Sequence, residues 1–316
     1  MSEEMAAFLE KIRKYFTQQP LPRTAFQLTS RYVSGIHVSA KDGRVTHHFI
    51  LPLERGIIQP SFDKSNIKKP ALLEGRIKRE MGKLRISNQK AAFLLPELSL
   101  KAFVFSFNSL PASRRDRERV IRFRVKKQIP LLPDDARFSF DVIRTNAMMK
   151  ILVAVAKSSV IKEYEDFFSR FNLRVRTVGV PTLSLQSLLN TQKEKDVLLI
   201  NIEEDSLSLV AALNSEIALY RLKPFLSGIQ TNISPDQMAE NIVKEVENTV
   251  HFIEDKEERK IQSFWLRVGF LDGEEEMISS LQKKASFPIT RIESSLTEKL
   301  GLREKKILSP LIGQIQ

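Results

Sequence analysis

Three stretches decide the fold: AFQLTSRYVSGIHVS (25–39), VLLINIEEDSLSLVAAL (197–213) and LRVGFLDGEEEMISSL (266–281). Each reads as a strand followed by a short polar turn. Where such turns face one another across a cleft they hold a phosphate or an adenosine, and the grip needs glycines that let backbone amides approach the ligand closely. In this chain Thr29, Glu203 and Phe270 stand at the critical points. The scaffold reads as that of a nucleotide machine, with the machinery dismantled.

Outward from these stretches, 316 residues suffice for two domains with separate cores, and 42% hydrophobic residues with 20 Phe support packed interiors. The absence of Cys removes disulfides and Cys-based metal sites. Of the four His, only His47 and His48 are adjacent, so no metal site is expected. No run of 18 or more apolar residues is present, and the N-terminus MSEEMAAFLEKIRKYF is acidic first with no long apolar core, unlike a secretory signal. A cytoplasmic protein is expected. The net charge of +12 favours an acidic partner: anionic headgroups, nucleic acid or an acidic protein face.

Residues 2–17 read as an amphipathic helix, with Met5, Phe8, Ile12 and Phe16 on one stripe, broken by QQPLPR. Strands follow at AFQLTS, YVSGIHVS and HHFILPL, with a hairpin turn at KDGR (41–44). A helix is predicted near 70–84, then strands AAFLLP and LKAFVFSFNSLP, a basic helix over 112–129, strands at 138–145 and 150–158, a helix over 159–173 and a strand leading into PTLSLQSLLN. The charged break TQKEKD (191–196) marks a lobe boundary. Beyond it the pattern returns: three strands, a helix capped by Ser234, a strand, a helix, the short strand PITRIE and a tail. Hairpin-rich sheet followed by helices therefore occurs twice. Two such lobes closing on a cleft are the architecture of the actin, heat-shock ATPase and sugar kinase superfamily, so the expected class is an α/β, two-lobed actin-like (RNase H-like) fold.

Several segments in order resemble PilM, the actin-like protein of type IV pilus machines and a relative of FtsA: LPLERGIIQPSFDKSNI, AAFLLPELSLKAFVFSFNSLP, VKKQIPLLPDDARFSFDVI, ILVAVAKSSVIKEYEDFFSRFNLRVRTVGVPTLSL and MAENIVKEVENTVHFIED. The resemblance implies that the usual second subdomain of the first lobe is missing and a small subdomain, 1C, is inserted elsewhere. The implied division is an N-terminal helix and linker (1–22), lobe 1 (23–105), the 1C-like insertion (106–174), a return to lobe 1 (175–192) and lobe 2 (193–316). It also implies a place beneath the inner membrane and binding of the cytoplasmic tail of PilN, with no chemistry on a substrate. A further similarity is to the cytoplasmic domain of the type II secretion L protein, which continues into a membrane segment; no such segment is expected within KKILSPLIGQIQ.

The departures from the family pattern carry the functional expectation. Gln27 takes an acidic position of the first loop, Thr29 a glycine position and Ser34 a lysine position, so neither a phosphate-binding cation nor a carboxylate for hydrated magnesium is supplied. In the second loop Asn201 replaces Asp and Glu203 replaces Gly, followed by Glu204 and Asp205. Three carboxylates facing a triphosphate would each repel it by about 1–4 kcal/mol at contact; alternatively these acids point outward from the turn. In the third loop Gly269 is kept while Phe270 stands where a second glycine would admit adenine. A pseudo-ATPase is expected, without catalytic residues, metal or bound cofactor; the alternative is an active ATPase that holds ATP and magnesium.

The remaining signal is RRDRERVIRFRVKK (114–127), eight basic residues against two acidic ones, a net +6 that is half of the +12 total. Nucleic acid is not the expected partner, because only Phe123 offers an aromatic beside the charges. On a helical wheel Ile121, Val125 and Ile129 form one apolar stripe and Val120 with Phe123 a second, separated by Arg117 and Arg124. The first stripe is expected to pack on the insertion's sheet. The second, with its arginines, is the candidate surface for a PilN-like tail, unless both stripes are buried. Peripheral contact with an anionic membrane is a further expectation.

Overall fold

The computed structural model describes residues 21–39, 41, 43–84, 90–144, 148–189, 195–225, 234–292 and 300–315, without the side chain of Arg144. The helix expected over 2–17 lies outside these residues.

Two five-stranded sheets share one plan. In lobe 1 the order is β3-β2-β1-β4-β8, built from β1 (Thr24–Leu28), β2 (Tyr32–Val38), β3 (Val45–Pro52), β4 (Lys90–Leu94) and β8 (Arg174–Gly179). In lobe 2 it is β11-β10-β9-β12-β13, from β9 (Asp196–Glu203), β10 (Ser206–Leu213), β11 (Glu216–Pro224), β12 (Ser263–Val268) and β13 (Ile289–Arg291). In each lobe an antiparallel meander is followed by two parallel strands reached through helical crossovers. Helices α1 (Pro70–Lys83) and α5 (Pro235–Glu257) occupy equivalent places before the fourth strand, as α3 (Ser158–Ser169) and α6 (Glu274–Lys284) do before the fifth, and the short α4 (Pro181–Leu185) follows β8. The first-turn prolines of α1 and α5 suit positions whose N–H has no helical partner. Ser234 closes a capping box with Gln237 at the start of α5.

The plan also locates the insertion. Between β4 and α3, and nowhere between β12 and α6, the chain adds β5 (Leu100–Phe107), α2 (Arg114–Gln128), β6 (Ala136–Arg144) and β7 (Met149–Lys157), with sheet order β5-β7-β6. The added sheet starts at Leu100, ahead of the expected boundary at 106. Helix α3, assigned above to the insertion, belongs to lobe 1. Its Tyr164 and Phe168 pack in tilted contact with Phe93 of β4 at ring separations of 4.8 and 5.2 Å, and Phe168 lies 5.1 Å from Phe26 of β1. The apolar stripe of α3 is satisfied by the lobe 1 sheet, which a boundary at 174 cuts away from it.

The largest departure is at the C-terminus. The stretch read as a tail contains α7 (Leu302–Ile315), with Pro310 inside it. Leu308, Leu311 and Ile312 are buried against Ala25, Ile36, Ala92 and Leu94, covering a face of the lobe 1 sheet that would otherwise be exposed. The helix thus belongs to lobe 2 by sequence and packs on lobe 1.

Candidate functional site

Strand alternation gives the sheet of lobe 2 two faces. On β9, Leu198, Ile200 and Ile202 enter the core beneath α5 and α6. Val197, Leu199, Asn201 and Glu203 point the other way, as do Trp265 and Arg267 on β12, and the parallel register sets Arg267 beside Asn201. This second face is apolar at the start of the strands and polar at their carboxyl ends, the place where open α/β sheets gather ligands.

Arg267 is the centre of that polar end. It forms a tight ion pair with Glu203, and the two side chains are 1% and 8% exposed. The same guanidinium donates to Asn201 Oδ1 at 3.0 Å, to Tyr32 Oη at 2.9 Å, and to the main-chain oxygens of Lys306 at 3.1 Å and Ile307 at 3.4 Å. Tyr32 Oη donates in turn to Glu203 Oε1 at 3.2 Å, and Gln27 Nε2 donates to the same oxygen at 3.4 Å. Tyr32 and Gln27 come from lobe 1, Glu203 and Arg267 from lobe 2, and the two carbonyls from α7. A planar fork with five donors suits such convergence, and a lysine in its place would not reach all of these partners.

Burial sets the titration of the cluster. It pushes the Glu203 carboxyl up to about 7 in spite of the attraction and hydrogen bond of Arg267. The Tyr32 hydroxyl is raised well beyond its ordinary range, again chiefly by burial. A second buried group adjoins it: Glu97, also raised by burial, accepts from Thr182 N at 2.8 Å, from Thr182 Oγ1 and from Tyr220 Oη. Asn201 Nδ2 donates to Thr182 Oγ1 at 2.9 Å and joins the two groups into one network across the lobes.

The two hairpin turns expected to flank a nucleotide touch each other. Arg31 of the first pairs with Glu204 of the second at 2.9 Å. Asp205 bonds to Ser206 at 3.2 Å and to Ser30, and its carboxyl is raised mainly by burial. The acids at 203–205 therefore neither form a bare anionic wall nor point outward. Each is engaged by a group of the protein itself.

The other expected positions fall as follows. Thr29 folds over its own turn, its Oγ1 accepting from Arg31 N at 3.1 Å and Tyr32 N at 3.0 Å and thereby using amides that a phosphate would need. Gln27 and Ser34 are register partners, and Gln27 Oε1 and Ser34 Oγ are buried without hydrogen-bond partners among the described residues. An amide oxygen is an acceptor and so repels phosphate oxygens. Gly269 sits where a Cβ would lie 2.6 Å from Arg267 Nη1 and collide with Glu203, so its missing side chain makes room for the ion pair. Phe270 packs against the lobe 2 core. These residues do not fit a magnesium nucleotide at this place. Arg267 and Tyr32 were not among the residues singled out in the sequence. The available signal was an arginine on the inward parity of SFWLRV.

In the insertion, Ile121 and Val125 are fully buried against Phe105, Ile151 and Val153, and Ile129 packs beside them. The second stripe divides. Arg117, Val120 and Arg124 line one flank of α2, where Val120 and Arg117 are half-buried and Arg117 Nε has no hydrogen-bond partner among the described residues. Phe123 stands apart on the outer face, 63% exposed.

Comparison with known proteins places this geometry. No family model matches the chain, and no curated protein does. Among solved structures, the "PilM-PilN type IV pilus biogenesis complex" superposes with a TM-score of 0.73 at 13% identity, covering 94% of this chain and all (100%) of that one. A Bacteroides thetaiotaomicron protein described as having an actin-like ATPase fold and unknown function gives 0.53 at 9% identity, over 95% of this chain and 98% of that one. The chain has the actin-like ATPase fold. The cytoplasmic domain of EpsL, an inner-membrane component of the type II secretion system of Vibrio cholerae, has the same fold at a TM-score of 0.51 and 8% identity, over 92% of this chain and 94% of its own. Within this fold the hairpin turns at 29–31 and 204–205 and the loop after β12 are the places anticipated for nucleotide loops, and here they enclose the Arg267 network. Among the described residues no helix is long and apolar enough to cross a membrane.

Proposed function

We propose that the chain is a non-catalytic scaffold of a pilus or secretion assembly platform, which holds the cytoplasmic tail of a PilN-like inner-membrane protein and does not turn over nucleotide. The observation that carries this reading is the Arg267–Glu203 pair, buried at the carboxyl ends of β9 and β12 and bonded to both lobes and to α7. A protein cation occupies the place where this fold would hold a ligand, and its partners already saturate it. A site closed in this way suits constant shape, which attachment needs. The similarity to a PilM-PilN complex over nearly the whole chain supports a membrane-protein tail as the thing attached.

The flank of α2 is the proposed contact. Arg117 and Arg124 stand beside Val120, and their guanidinium groups would pair with carboxylates or main-chain oxygens of the tail. The test is fluorescence polarisation with labelled tail peptides from PilN-like membrane proteins. Arg117→Ala with Arg124→Ala should weaken binding about tenfold or more, at an unchanged melting temperature. Unchanged affinity would remove this flank from the contact, and absence of any peptide binding would remove the tail. The EpsL similarity favours a second reading, a type II secretion role, in which the tail of a different membrane component binds.

A further inference from the structure

The outer face of α2 is unlike the flank assigned to the tail. About half a turn round the helix from the buried Ile121 and Val125 stands Phe123. Arg119, Lys126 and Lys127 lie four residues before it and three and four after it, on the same face. Lys127 Nζ sits 4.7 Å from the Phe123 ring centroid. Just past the helix, Ile129 accepts from Leu132 N at 3.1 Å in a turn that holds Pro130 and Leu131, and Leu131 is 93% exposed. It is the most exposed large apolar side chain described. Phe123 and Leu131 are thus exposed apolar side chains in and just past the basic helix. A bilayer surface is a plane of phosphates above hydrocarbon, and it matches exposed apolar side chains beside cations.

We propose that the outer face of α2 and the turn at 129–132 rest on an anionic phospholipid surface. Arg119, Lys126 and Lys127 pair with headgroup phosphates, while Phe123 and Leu131 enter the boundary with the acyl chains. Arg119 also has Asp116 at 3.4 Å, an exposed contact that a phosphate can replace. The attachment is independent of tail binding. Two weak attachments to one membrane reinforce each other through effective concentration.

The test is co-sedimentation of the full chain with vesicles of phosphatidylcholine alone and of phosphatidylcholine mixed with phosphatidylglycerol. Binding is expected only to the second and should fall as salt is raised. Lys126→Glu with Lys127→Glu should reduce the partition about tenfold or more. Lys78→Glu with Arg79→Glu, an equal charge change on the exposed side of α1, should leave it within about twofold. Phe123→Ser with Leu131→Ser should reduce it without altering net charge. Melting curves identify any variant that fails to fold, and because the lysine and apolar pairs are separate, either suffices. Equal losses from both charge pairs would reduce the effect to net charge and overturn the proposal. So would an unaffected serine variant combined with full competition by soluble polyglutamate, which would point to an acidic protein instead.

Discussion

Replacing Arg267 with Met removes the charge at the lobe interface and keeps most of the side-chain volume. The loss is asymmetric. Glu203 stays buried with only Tyr32 Oη at 3.2 Å and Gln27 Nε2 at 3.4 Å as donors, and Asn201 Oδ1 and two helix carbonyls lose the bonds that Arg267 gave them. Breaking a buried pair from one side costs about 3–5 kcal/mol. Glu203 can escape part of that cost by taking up a proton. In the parent its carboxyl is at about 7, and the attraction of Arg267 is among the effects that hold it down. Without Arg267 it should titrate higher still. A carboxyl raised in the folded state favours folding at low pH and loses that contribution as pH climbs from its unfolded value through its folded one. Arg267→Met should therefore be least costly near pH 5 and most costly near pH 8. Adding Glu203→Gln should recover most of the loss at pH 8, because neither partner is then charged. The chain's one Trp, Trp265, lies two residues away on the same face of β12, so its fluorescence during urea unfolding reports on the site directly. A single variant within about 1 kcal/mol of the parent at pH 8, with no dependence on pH, would refute this account of the network.

Two further outcomes follow from the same geometry. Glu203→Gln alone should flatten the dependence of stability on pH between about 4.5 and about 7, since the parent loses roughly 3 kcal/mol there as Glu203 ionises; urea titrations of both proteins across that range measure the difference, and parallel curves would count against it. Gly269→Ala forces a Cβ onto Glu203 and Arg267 and should cost about 1–3 kcal/mol by the same assay, whereas a glycine kept only for a nucleotide would give a neutral alanine.

The duplicated plan was legible because it is written in local pattern. Alternation over VLLINIEE and LSLVAALN fixes a hairpin, and Ser234 followed by Gln237 announces α5. The site was legible only in the negative, as glycines and acids out of place. What fills it is long-range: Arg267 lies 64 residues from Glu203 and 235 from Tyr32, so no sequence window contains the pair or suggests the fork. The acids at 203–205 were misjudged for the same reason, since charge in a turn says nothing of its partners. Helix α7 carries Pro310 inside it, which works against a helical reading, and its reason to be helical is the lobe 1 face that it covers. The boundary at 106 missed the start of the insertion because β5 is a good strand whichever sheet it joins; only pairing with β7 assigns it.

The account rests on the lobe interface being filled by the protein's own ion pair, and titration calorimetry with Mg-ATP tests this most directly. The expected result is no saturable heat at millimolar nucleotide, with the melting temperature unmoved and no phosphate released. Saturable binding with a raised melting temperature, lost on substitution at Thr29 or Glu203, would mean that the network opens to admit a nucleotide and would contradict it.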